Sequence, residues 1–277
     1  MNKLITLFFL FLAYNSHAQT PTELAQPIVE EGKRLYRSEM ASWYGTDLFL
    51  ENYKNQSNIG GYLSYSEKDV STCIFFSPGE APKVIGTIVF GEDYNVKTAR
   101  LDLKEREFTA GEKDLFQVRS AALKIINSDT LFKTFENTNL NIIPIISNGE
   151  RKVYVLTGTQ KSGVVIIGND YLITFDENNQ VNSKKALHAN IIPIETTQQT
   201  EPGTEAFGTM HSHLPETGDF ITPTDICTLM LYAKFTNWKQ HIVVSEKYMN
   251  IWNIKDNHLI VVPREVEKGS SKKKKKN

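Results

Sequence analysis

His211-Ser212-His213 sets two imidazoles two residues apart. On a β-strand, residues i and i+2 share a face, so the pair would point side by side. Neutral imidazole is a common metal ligand, and zinc accepts His and Asp together. The best third ligand is Asp225, in Thr222-Pro223-Thr224-Asp225. Thr222 suits a helix N-cap, Pro223 the first helical position and Asp225 the third. Ile226, Leu229, Met230 and Ala233 follow at the spacing of an apolar helix stripe. Asp225 is thereby fixed on a first turn, near the positive end of the helix dipole. A strand with H-x-H, a short loop and a helix opening with T-x-x-D make a three-ligand site with a fourth position for water. Each motif has a plainer reading by itself. T-x-x-D is also a capping box, and a His pair on a strand is often a surface or hydrogen-bonded pair. The two together, in this order and at short range, favour metal.

These residues resemble the signature of the JAMM (JAB/MPN) metalloproteases: H-x-H, a seven-residue spacer, then S-x-x-D. The resemblance implies His211, His213 and Asp225 as zinc ligands. It puts Thr222 at the family's oxyanion-stabilising Ser. The spacer here is eight residues, and Thr replaces Ser. The family also carries a catalytic Glu on an upstream strand reading roughly E-x-x-G-x-L-x-G. One register matches Glu150 through Gly158. A second matches Gly163 through Gly168 and has Gln160 where Glu should stand. The first supplies a general base; the second leaves a metal site without one. The plainer reading of Glu150 is a solvated charge at the turn Ser147-Asn148-Gly149-Glu150. With Glu150 as base, the resemblance implies hydrolysis of an amide bond in a peptide or protein substrate by zinc-activated water. Two alternatives stand beside it. One is an inactive JAMM-like module that binds metal or peptide. The other is a structural or interaction protein of the cell envelope.

The N-terminus points to export. Met1-Asn2-Lys3 is basic, Leu4 to Tyr14 is mostly apolar, and Ser16 and Ala18 are small residues at the −3 and −1 positions. This pattern predicts a signal peptide cleaved after Ala18, and a secreted or periplasmic protein. No other run approaches the ~20 apolar residues of a membrane-spanning helix. The formal net charge of −1 gives no general attraction to nucleic acid. Lys272 to Lys276 read as a solvated tail. Cys73 and Cys227 sit in apolar surroundings and read as free buried thiols.

The predicted elements form an α+β pattern, compatible with the curved mixed sheet flanked by helices that the JAMM resemblance implies. The pattern predicts a helix over 21–40 with a break near Pro27, then an antiparallel meander of strands near 62–65, 72–77, 84–90 and 98–103. A helix over 112–127 follows. Pro144 makes 142–146 an edge strand or an extended link. From about Arg151 the chain is strand-rich, with runs at 153–157, 164–167, 171–175, 206–213, 241–244, 249–254 and 259–262. The expected organisation is a signal peptide (1–18), an N-terminal α+β region (19–109), a metal domain (110–265) and the tail (266–277). His188 reads as a surface residue without ligand spacing. His241 and His258 read as structural. Glu195 and Glu205 lie near the metal strand and are candidates to support the ligands. Glu216 and Asp219 read as solvating the loop after His213.

Overall fold

The computed structural model of this protein describes residues 18–197 and 207–265. Most of the signal-peptide segment, Glu205 and the lysine tail lie outside the described residues. The fold is α+β, as the sequence pattern predicts.

Helix α1 (Pro21–Asn52) is the longest element. Thr20 caps it in a full capping box with Glu23. The expectation of a break near Pro27 and an end near Met40 does not hold. The helix runs through Pro27 for 32 residues. Its far half buries Met40, Ala41, Gly45 and Phe49, so packing carries it past the missing amide.

Strands β1 (Gly61–Glu67), β2 (Val70–Phe76), β3 (Val84–Phe90) and β4 (Arg100–Asp102) form the predicted antiparallel meander, in that order. Helix α2 (Ala110–Ile126) leads to a second antiparallel sheet. Its order is β5 (Thr138–Ser147), β6 (Glu150–Thr159), β8 (Tyr171–Phe175) and β9 (Val181–Ala186). Pro144 does lie on an edge strand, β5. Strand β7 (Val164–Gly168) pairs instead with β10 (Ile191–Glu195). The last sheet has the order β11 (Gly208–Ser212), β12 (Gln240–Val244), β13 (Tyr248–Asn253) and β14 (His258–Pro263), with β11 and β12 parallel. Helix α3 (Pro223–Tyr232) crosses from β11 to β12.

The core does not divide at residue 110. One cluster joins Leu35 and Phe49 of α1, Cys73 and Ile88 of the meander, Tyr154 of β6, and Cys227 and Leu231 of α3. A second joins Ala25 and Val29 of α1 to Ile226, Leu229, Val243 and Trp252. Helix α1 is therefore the shared wall of both halves. At Gly32 it comes so close to α3 that a Cβ would lie 2.7 Å from Ile226 Cβ and 3.0 Å from the Pro223 carbonyl. A side chain there would push away the turn that carries Asp225. Both cysteines are free and buried, as their setting predicts.

Candidate metal centre

The first turn of α3 is built locally. Thr222 is its N-cap, Pro223 opens it, and Asp225 completes the capping box. The Thr222 amide and hydroxyl donate to Asp225 Oδ2 at 2.9 and 2.8 Å. These bonds fix the carboxylate and leave Oδ1 without a hydrogen-bond partner in the interior. The residue itself is 1% exposed.

Strand β11 and the residue just after it present the two predicted imidazoles on one side. His211 and His213 are buried, whereas Met210 and Ser212 between and beside them are exposed. Pairing with β12 holds the register: His211 lies opposite Val243, and the His213 amide donates to the Val244 carbonyl at 2.9 Å. The three predicted ligands do converge. His211 Nε2 lies 3.7 Å from Asp225 Oδ1, and His213 Nε2 lies 3.3 Å from Asp225 Oδ2.

A fourth donor joins them, one that sequence pattern alone puts on the surface. His188 is buried, and its Nε2 lies 3.3 Å from Asp225 Oδ1 and 3.3 Å from His213 Nε2. It sits just beyond β9, where the Leu187 amide donates to the Asp170 carbonyl. The β7–β8 turn forms the floor beneath it. Gly168 there has φ +92°, and a Cβ would stand 2.3 Å from the Asn190 carbonyl oxygen, so only glycine closes the turn. Asp170 follows and lies 3.6 Å from His188 Nδ1, while its other oxygen accepts the Thr157 amide at 2.8 Å. No ligand spacing in the sequence marks His188. Its one local signal is the apolar setting Ala186-Leu187-His188-Ala189 within a polar stretch.

One donor atom from each of His188, His211, His213 and Asp225 can be chosen so that all lie within 4.8 Å of one another. A tetrahedral ion with bonds of ~2.0–2.1 Å separates its donors by roughly 3.3 Å. The contacts of 3.3 to 3.7 Å lie at or just above that edge, and the four donors together spread over as much as 4.8 Å. His211 Nε2 and Asp225 Oδ1 have no hydrogen-bond partner among the described residues. Unsatisfied buried polar atoms are costly, and a shared cation would satisfy both. The donor set therefore fits a metal ion.

Electrostatics agree. Burial opposes charge on His188, but the Asp225 and Asp170 carboxylates outweigh it and push its pKa up to about 10. Burial opposes charge on Asp225 too, but His188 and His211 hold it well below the usual carboxylate range. The pocket thus favours a positive charge. Burial pushes His211 down to about 4 and His241 down to about 3, which leaves both neutral. His241, read as structural, is fully buried on β12. Its Nε2 lies 2.8 Å from His211 Nδ1, and its Nδ1 lies 2.7 Å from Thr209 Oγ1. This chain orients His211 from behind, whereas Asp170 stands 3.6 Å from His188 Nδ1, a charge contact without a hydrogen bond.

The two predicted catalytic residues are placed differently. Glu150 opens β6 at the hairpin with β5. Its side chain is 66% exposed and pairs with Lys152 at 2.7 Å. It is not among the clustered donors. This is the solvated turn charge, and the general-base assignment has no support in its position. Thr222 is at the site, but its hydroxyl is committed to Asp225 Oδ2 and to Thr224 Oγ1, 3.0 Å away. Its hydroxyl is thus engaged in fixing the Asp225 carboxylate. Asp219 is paired with Lys247 at 2.8 Å, and Glu216 is exposed.

Comparison with protein-family models, with curated proteins and with solved structures found no match to this chain.

Proposed function

We propose that this is an exported metal-binding protein whose centre, His188, His211, His213 and Asp225, holds one zinc ion in a closed coordination shell. The carrying observation is the approach of His188 Nε2 to within 3.3 Å of both His213 and Asp225. Zinc sites with four protein ligands are structural, whereas hydrolytic sites keep a position for water. His188 takes the position that a JAMM peptidase would leave to water. The solvent-facing placement of Glu150 points the same way. Three imidazoles and one carboxylate make a nitrogen-dominated set, which suits zinc, copper, iron or nickel over magnesium or calcium.

When bound, such an ion supplies a cross-link between the His188 segment, strand β11 and helix α3, and its binding energy adds to folding. The chain's own residues prepare the site. Thr222 fixes Asp225, His241 aims His211, and the Asp170 carboxylate lies beside His188. The JAMM signature is then a metal site without the hydrolytic apparatus. Among the described residues, no helix is long and apolar enough to cross a membrane.

The test is elemental analysis of protein purified without chelator, for wild type, His188→Ala and His213→Ala. The closed centre predicts about one zinc per wild-type chain and a comparable loss in both variants. A His188→Ala protein that keeps its zinc and hydrolyses a peptide library would restore the peptidase reading. Absence of any bound metal in wild type, even after zinc is added back, would remove the metal reading altogether.

A further inference from the structure

A second polar cavity lies away from the metal centre, where α1, α2, β1 and β5 meet. Its volume is about 150 Å³. Glu39 of α1 and Arg119 of α2 both line it, with Ser42, Tyr62, Asn139 and Asn141. The two charges face one space but do not reach each other: no ion pair joins them within 4 Å.

Each is left incomplete. Asn141 Nδ2 donates to Glu39 Oε2 at 2.8 Å, and Oε1 has no hydrogen bond among the described residues. Arg119 makes no hydrogen bond or ion pair with any described residue. Its guanidinium stands 6.0 Å from the centre of the Tyr62 ring. A guanidinium carries five donors in a planar fork suited to a carboxylate. Burial pushes Arg119 down from its ordinary value and Glu39 up to about 7. Both side chains keep partial access to solvent, so water shares in satisfying them when the cavity holds no ligand. Glu112, a buried carboxylate on the same helix as Arg119, is not left incomplete. It accepts four hydrogen bonds, from Arg106, Thr109 and Tyr65.

We propose that this cavity binds a free α-amino acid, its α-carboxylate on Arg119 and its α-ammonium on Glu39. A zwitterion is the ligand that completes both groups at once. An anion would leave Glu39 facing it, and a cation would leave Arg119 facing it. A cavity of roughly 150 Å³ takes a ligand of about six heavy atoms, the size of glycine or alanine. A larger cavity of about 380 Å³ shares Ser38 and Pro144 with this one and gives a side chain room to extend. The site is independent of the metal centre and stands whether or not that centre is loaded.

The experiment is a thermal-shift and calorimetric titration of the full mature chain with glycine, L-alanine, acetate and methylamine as probes. Glycine or L-alanine at millimolar concentration should raise the melting temperature and release heat, and acetate or methylamine alone should do neither. Arg119→Lys and Glu39→Gln should each weaken that response at least about tenfold, the scale of losing one charge-assisted hydrogen bond. If either variant does not fold, the Arg119 Nε–H resonance of the wild type decides the matter: it should shift on adding glycine and stay in place on adding methylamine. No response to either amino acid at tens of millimolar overturns the proposal. An equal response to acetate overturns it also, because a simple anion site would then suffice.

Discussion

Helices α2 and α3 open with the same device and put it to different ends. Thr109 and Glu112 form a capping box at the start of α2, and Thr222 and Asp225 form one at the start of α3. Both acidic residues are buried. Around Glu112, Arg106 closes a bidentate pair at 2.7 and 2.8 Å, and the Tyr65 hydroxyl donates at 3.0 Å. Around Asp225 no arginine or lysine pairs with the carboxylate among the described residues; three imidazoles converge, and Oδ1 has no hydrogen bond. A third box, Thr20 with Glu23 at the start of α1, remains exposed. A capping box fixes where a carboxylate sits. What tertiary packing brings opposite that carboxylate decides whether it is solvated, neutralised or left to hold a cation.

The largest effect should come from breaking the α3 box at its acid. Asp225→Asn removes the anionic ligand and should abolish nearly all zinc binding, measured by elemental analysis. The melting temperature should fall by about as much as chelation takes from the wild type, since bound metal stabilises only the folded chain. The matching Glu112→Gln protein should keep its full metal content. Equal metal loss in the two would erase the contrast between the boxes.

Next in size is the support behind the ligands. His241→Phe leaves all four donors in place but removes the partner of His211 Nδ1. Metal affinity should fall about 10–100-fold in a competition titration with a chelator, the usual cost of losing such a partner. Unchanged affinity would show that β11 alone aims His211.

Glu112→Gln should destabilise by about 2 kcal/mol in denaturant unfolding, because Arg106 loses its bidentate partner. That is below the figure for a fully buried pair, since the Arg106 side chain is 33% exposed. The pH dependence has a definite sign. Burial works against the charge of Glu112, but Arg106 and the Thr109 amide outweigh it and hold its pKa at about 2, below the ordinary 4.5. A depressed pKa contributes stability that is complete above the unfolded-state value. It is lost as pH falls from roughly 5 towards 2. Glu112→Gln should flatten that part of the stability profile.

The smallest effect belongs to the exposed box. Thr20→Ala should cost about 0.5–1 kcal/mol in the same unfolding measurement, with no change in metal content. A larger loss would mean that the start of α1 does more than cap its helix.

Local sequence is sufficient for much of this. The i, i+2 spacing of His211 and His213 and the helix start at Thr222 follow from backbone periodicity and capping, which act over a few residues. The N-terminal meander, the edge strand with Pro144 and the turns at Asn179 and Asn257, where φ is positive, are legible for the same reason. Three of the four clustered donors are therefore legible in the sequence by itself. The continuation of α1 beyond Met40 is not, because its stability comes from faces packed on the meander and α3. Nor is the fourth ligand. His188 has no spacing relation to the others, and it reaches Asp225 only because the β7–β8 turn and the end of β9 fold against α3. Glu150 illustrates the converse. Its approximate fit to a motif puts it on the right kind of strand, but the β5–β6 hairpin register turns its side chain to solvent. Short-range rules determine which face a residue occupies and where a helix begins. Which residues meet across a core depends on how whole elements pack, and that is what brings the four donors together.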